Sequence, residues 1–395
     1  MMHSIRRSCQ SALKSPSNVC AYANGSRRAF SRTSAHSRGT LPVFLSPSSP
    51  ELSALLSTLN SKILLPYHLT PEQQKLVYSL KNKAKLEAEP VEITLGEVTL
   101  PLEHINQNHK PRFSQTFWDI VKKSETTDDY ENIVRMLEGF VNAGIKVKPG
   151  WQEKVIRTLS RTGNHHLLLK ALQRPKATGL RMSEPRVLEH VLRAVHDKAA
   201  LSKWNKEETA KALRLGKQVA ELLEDEEHCG GQARGELVSA HDFRGKPIVV
   251  ALPTELAAVL ADRHGGDVDE VKTFAGRLMA ALKQDDYDTT LDTIAEHSTR
   301  TGDDFKNGAM QLYHVFNSIN ELMPLVIVWN ALRTSRKVLG ADMPSADEAQ
   351  RLETRSKDVL DPGLDAAERL QTSIQTQSQD SIVTAARNTV AMCEA

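Results

Sequence analysis

The side chains in this sequence that can bind a metal, move a proton or attack a carbonyl do not converge on any motif. His165-His166 opens a helical stretch, where adjacent side chains diverge by about 100° and cannot readily share an ion. His190 and His196 are six positions apart and poorly aligned on one helix, as ordinary helix histidines are. His228-Cys229 follows the acids Glu224 to Glu227, but no second Cys/His pair completes a metal corner. Cys9 and Cys20 fall near the N-terminus, and Cys229 and Cys393 stand far apart, giving neither a disulfide framework nor a Cys-x-x-Cys spacing. Gly230-Gly231 lacks the Gly-Lys-Ser/Thr ending of a phosphate loop and the glycine spacing of a dinucleotide site. Asp285-Asp286 and Asp303-Asp304 suit helix N-termini better than paired catalytic carboxylates. The expectation is a non-enzyme without cofactor or metal.

What the sequence does carry is segregated charge. Residues 1–40 hold +7, residues 41–109 hold −2, residues 110–217 hold +10 and residues 218–395 hold −13. A basic middle beside an acidic C-terminal half implies an anionic partner for the middle segment. The N-terminal charge has a different meaning. The first acid is Glu51, and Arg6, Arg7, Lys14, Arg27, Arg28, Arg32 and Arg38 precede it among Ser, Ala and small apolar residues. That is the composition of a mitochondrial transit peptide, without the apolar run of a secretory signal. Arg28-Ala29-Phe30 before Ser31 resembles a matrix-peptidase site, and a second-step removal would end after Ser37. No apolar run approaches the length of a membrane span; the longest, Leu325 to Trp329, has five residues.

Periodicity predicts a mostly α-helical chain. Leu41 to Pro50 reads as a flexible linker, followed by helices over Glu51–Leu65 and Thr70–Leu86. Val91, Ile93 and Leu95, then Gly96-Glu97, then Val98 to Leu100 form a short β-hairpin signal. From Ser114 onward helices dominate, with Gly144, Gly163 and Gly179 as end caps. Ile248 to Leu252 is too short to assign; Pro324 is expected to open a new helix, and the last forty residues a frayed tail.

A shift of 35 lays Ile133 to Glu138 over Leu168 to Gln173, and Gly144-Ile145 over Gly179-Leu180. Such a period denotes a helix–turn–helix unit that buries its face only by stacking. Val155 to Gly163, with Gly179 sixteen residues on, resembles the first helix and glycine spacing of organellar pentatricopeptide-repeat proteins. The resemblance covers two repeats, Asp129 to about Ala199; Pro175 interrupts the second helix, and the usual closing Pro-Asp is absent after Arg181. It implies RNA binding. The family's two base-reading places fall on Glu153 and Ser183, which form no familiar pair for that task. Backbone attraction is therefore expected from Arg157, Arg161, Lys170, Arg174, Lys176, Arg181, Arg186 and Arg193.

The resulting organisation is a transit peptide (1–37), linker (38–50), helices with a hairpin (51–110), a basic helical-repeat region (111–227), a Gly-rich loop (228–247), an acidic helical region (248–362) and a polar helical tail (363–395). The expected function is a mitochondrial matrix protein binding RNA or a ribonucleoprotein in translation or RNA processing, including as a mitoribosome component. A helical scaffold for respiratory-complex assembly is the alternative, and an enzyme with an unrecognised site a further one. Changing Arg6, Arg7, Arg27 and Arg28 to Glu should leave the protein outside mitochondria in a fractionation experiment; normal import would remove the transit-peptide reading.

Overall fold

The computed structural model describes residues 40–230, 242–374 and 381–395. The transit-peptide segment and most of the Gly-rich loop lie outside them. Helix α1 (Pro50–Thr58) continues through a π-helical stretch, Leu59–Leu64, into α2 (Leu65–His68). Pro66 explains the widened turn: it has no N–H to donate and its ring crowds the preceding turn. Helix α3 (Pro71–Tyr78) starts in a Thr70–Gln73 capping box, and α4 (Lys83–Ala88) follows. The hairpin pairs β1 (Glu92–Leu95) antiparallel with β2 (Val98–Pro101), Ile93 opposite Leu100, and Gly96 supplies the positive φ of its two-residue turn.

The middle of the chain is a stack of helix pairs. Helices α5 (Phe113–Lys123) and α6 (Thr127–Asn142) precede α7 (Pro149–Arg161), whose partner is divided into α8 (His165–Leu172) and α9 (Pro175–Thr178). Pro175 causes that division. Helices α10 (Pro185–Ala200) and α11 (Lys206–Leu222) form the next pair. The first helices thus begin at Phe113, Pro149 and Pro185, equal intervals of 36 residues. α6 packs on α9 and α7 on α10, so each pair is covered by its successor. Phe117 stacks on Trp151 at 4.7 Å and ties α5 to α7. Leu137 and Leu172, matched by the 35-residue shift, are both fully buried, and Gly144 and Gly179 have φ of +70° and +71°.

The expected flexible linker behaves differently where it is described. Residues 40–48 run along α6, held by its polar side chains. Asn132 accepts from the Leu45 N–H at 2.7 Å and donates to the Leu45 carbonyl at 3.0 Å. Asp129 accepts from the backbone N–H groups of Ser48, Glu125 and Thr126. Burial alone would raise the Asp129 carboxyl, but these bonds outweigh it and hold it at about 2.

The acidic half is built on α12 (Pro247–His264), α13 (Val268–Gln284), α14 (Tyr287–His297), α15 (Gly308–Leu339), α16 (Ala346–Thr372) and α17 (Ile382–Glu394). Ile248 to Leu252 is therefore helical. Pro324 does not open a helix; α15 runs through it. One interior proline costs about 3 kcal/mol, whereas Leu322, Met323 and Leu325 to Trp329 are all buried against neighbours, each contributing about 1.5–3 kcal/mol. α15 is also long and apolar enough to cross a membrane, yet 67% of its apolar window is buried inside the fold, as in a core helix. The C-terminal residues are docked rather than frayed: Val383, Ala386, Val390 and Cys393 form the buried stripe of α17.

Leu137→Ala and Leu172→Ala should each lower unfolding stability by about 2–5 kcal/mol in urea titrations. Gly179→Ala should add strain of about 1 kcal/mol or more, because its φ is positive and a Cβ would lie 3.1 Å from Val141 Cγ2.

Candidate nucleic-acid interface

The stack separates the eight cations expected to meet RNA into two groups. Lys170 on α8, Arg174 in the break after it, Lys176 on α9 and Arg181 in the following turn each meet a glutamate of this chain. Lys170 reaches Glu131 at 2.7 Å and Arg174 reaches Glu138 at 2.7 Å. Lys176 and Arg181 share Glu227, at 3.5 and 2.8 Å. These are exposed or half-exposed pairs, worth about 0–1 kcal/mol each.

Arg157, Arg161, Arg186 and Arg193 lie on α7 and α10, which pack directly together. Helical spacing puts Arg157 and Arg161 one turn apart on α7, and Lys154 stands one turn before Arg157 on the same face. Burial, then the charges of Arg157 and Arg161, depresses the Lys154 ammonium. Burial also depresses the Arg157 guanidinium; Glu153 opposes that shift, while Arg193 and Arg161 add to it. Lys154, Arg157, Arg161 and Arg193 therefore form a mutually repelling cluster. Local acids answer it partially. Buried Glu153 is taken by Arg186 at 3.6 Å and His190 at 3.5 Å, and Asp197 lies 3.6 Å from Arg193. The Arg157 Nε is buried without a hydrogen-bond partner.

Helix α15 brings aromatic side chains to the edge of this cluster. The Phe316 ring lies under the Arg157 guanidinium, 5.9 Å from its centroid. Tyr313 is 62% exposed, and hydrogen bonds with Asn317 and Arg186 lower its phenol. Cations beside an exposed aromatic ring match what a single-stranded nucleic acid requires: charge for phosphates and a face on which to stack a base.

A cleft next to the cluster is lined by Glu189, His190, Arg193, Asn320 and Met323. Burial raises the Glu189 carboxyl to about 7; Arg186 opposes the shift, and Glu153 and Glu321 add to it. Burial likewise pushes His190 down, to about 4. At pH 7 His190 is thus uncharged and Glu189 is about half protonated.

The sequence reading names the four α7 and α10 arginines and does not include Lys154, although its spacing from Arg157 is visible. Tyr313 and Phe316 carried no local signal, because packing alone brings α15 there. Glu153, one expected base-reading place, is buried and ion-paired; Ser183 is half-buried.

A family model described as "Mitochondrial ribosomal protein mS27" matches residues 28–388. The small ribosomal subunit protein mS27 of Neurospora crassa is 27% identical over 232 residues, covering 58% of this chain and 59% of that protein. The aligned part thus falls short of two thirds of the relative's length.

Glu189→Gln should change the pH dependence of stability. With its folded pKa raised from the usual 4.5 to about 7, Glu189 keeps a proton that the unfolded chain releases, so its contribution to stability declines as pH rises through that window. The variant lacks this decline. Relative to the parent it should gain about 1–2 kcal/mol between pH ~4.5 and ~7, allowing for partial exposure, in thermal unfolding across pH. A constant offset would show that Glu189 does not titrate there.

Proposed function

The chain belongs to the mitochondrial ribosomal protein mS27 family, and from that premise we propose that it is a non-enzymatic component of the small subunit of the mitochondrial ribosome, working in the matrix in translation. Its helix pairs serve as a rigid support, and ribosomal RNA is the anionic partner of the basic middle segment. The observation that carries this reading is the Lys154, Arg157, Arg161 and Arg193 cluster. Burial, with neighbouring cations adding to it, depresses Lys154 and Arg157, and a phosphate placed among them relieves the like-charge part of that cost. Evenly spaced helix pairs with glycine ends support a pentatricopeptide-like reading of the same region. With Glu153 buried and engaged, such a repeat holds the RNA backbone and stacks a base on Tyr313 without reading sequence.

Lys170, Arg174, Lys176 and Arg181 belong to a second, weaker electrostatic surface. A phosphate there must compete with Glu131, Glu138 and Glu227. The acidic half neutralises much of its own charge: Arg351 pairs with Asp288 and Glu348, and Arg387 with Asp365 and Glu368.

Two fourfold Gln variants separate the surfaces. Changing Lys154, Arg157, Arg161 and Arg193 should lower affinity for small-subunit ribosomal RNA by about 10-fold or more and flatten its log–log salt dependence by roughly 0.7–0.9 per lost phosphate contact. Changing Lys170, Arg174, Lys176 and Arg181 should have a smaller effect on both. Unchanged affinity and unchanged co-sedimentation with ribosomal subunits in the first variant would reduce the cluster to a solvated surface.

A further inference from the structure

A fully enclosed polar cluster lies where α10, α12 and α17 meet. His196 (α10), Glu255 (α12) and Cys393 (α17) come from helices far apart in sequence, and their relative exposures are 0%, 0% and 2%. One ligand atom from each, an imidazole nitrogen, a carboxylate oxygen and the thiol sulfur, can be chosen so that all lie within 4.8 Å of one another. Nδ1–H of His196 donates to one Glu255 oxygen at 2.8 Å, and the Asn330 amide donates to the other at 2.6 Å. The Trp204 ring packs edge-on to His196 at 5.5 Å, and its Nε1–H donates to the Met392 carbonyl at 2.8 Å, clamping the segment that carries Cys393. Arg333 holds the Cys393 carbonyl at 2.7 Å.

One feature of this cluster is left open within the protein. His196 Nε2 is buried with no nitrogen or oxygen partner, the Cys393 thiol being the further side chain the ring interacts with, and an unsatisfied ring nitrogen costs about 1–3 kcal/mol in a packed interior. Glu255 accepts a hydrogen bond on each oxygen, from His196 and from Asn330, and among the described residues His196 is its one basic neighbour.

We propose that His196, Glu255 and Cys393 form a structural site for a thiophilic divalent cation, zinc being the best match. Nitrogen, sulfur and carboxylate oxygen are the donor types zinc takes. Its bond lengths set ligand–ligand separations of about 3.3–3.6 Å in a tetrahedron, a short contraction from the observed cluster. The ring offers Nδ1 once the Glu255 oxygen turns from the ring to the ion. The proton carried on Nδ1 and the thiol proton leave to solvent on binding, and the resulting thiolate and the carboxylate balance the dication. The site then pins the C-terminal helix to the core. The inference stands independently of the ribosomal reading.

The test uses the full chain purified without chelator. Elemental analysis should find about one zinc per chain, lost in Cys393→Ala and retained in Cys229→Ala. Removal of the ion should lower the thermal midpoint of the parent and leave that of Cys393→Ala unchanged. Should Cys393→Ala fail to fold, the parent decides: cobalt(II) added to the chelated protein should give the intense visible bands of a tetrahedral site and a sulfur-to-cobalt charge-transfer band. Absence of zinc together with absence of the cobalt bands would overturn the site, and so would equal metal content in a folded Cys393→Ala. In either case the cluster is a metal-free imidazole–carboxylate contact beside a thiol.

Discussion

No helix between Phe113 and Leu222 can bury its apolar face within its own pair, and the rest of the structure depends on that constraint. Leu137, Ile156, Leu172 and Val191 become fully buried because each pair is covered by the next. A stack of this kind needs both ends closed. At one end residues 40–48 cover α6, and the Asp129 and Asn132 side chains supply bonds that a neighbouring helix would not need to provide. At the other, α11 packs on α12, and α12 in turn on α15, passing the stack into a core built around one long buried helix.

This arrangement decides where charge is available. Cations on α8 and α9 face the preceding pair or the Glu227 turn and find glutamates there; those on α7 and α10 lie beside one another on packed first helices. Proximity to like charge makes the second group sensitive to an anion. Exposed ion pairs stabilise little, so the first group is not locked either. The difference is that a phosphate arriving at Lys154 and Arg157 removes a repulsion, whereas one arriving at Arg174 displaces an existing partner.

Local signals made much of the fold legible. Thr70-Pro71, Pro149 and Pro185 mark helix starts; Gly144 and Gly179 mark ends, and the hairpin follows from alternation about Gly96. Pro324 misleads as a helix start, because it sits inside α15, where packing on both sides outweighs the lost hydrogen bond. The stripe of α17 escaped notice for another reason: Val383, Ala386, Val390 and Cys393 are small, and their helical period is faint among polar neighbours. His196, Glu255 and Cys393 have no sequence spacing at all; only the folded chain brings them together.

The same separation of local from long-range information bears on function. Positive charge is a local property, and it is read directly as an excess of ten over residues 110–217. An aromatic platform beside that charge is long-range, since Phe316 and Tyr313 arrive on α15, more than a hundred residues after α7. The second half of α15 is core: Leu322, Met323 and Leu325 to Leu332 are buried. The edge carrying the basic cluster is therefore packed against a helix of the acidic half. Loosening of α15, by a core substitution far from the basic cluster, would displace Phe316 from Arg157 while leaving every cation in place. If the cluster binds RNA as proposed, affinity should then fall with little change in its salt dependence, the opposite signature to loss of the cations themselves.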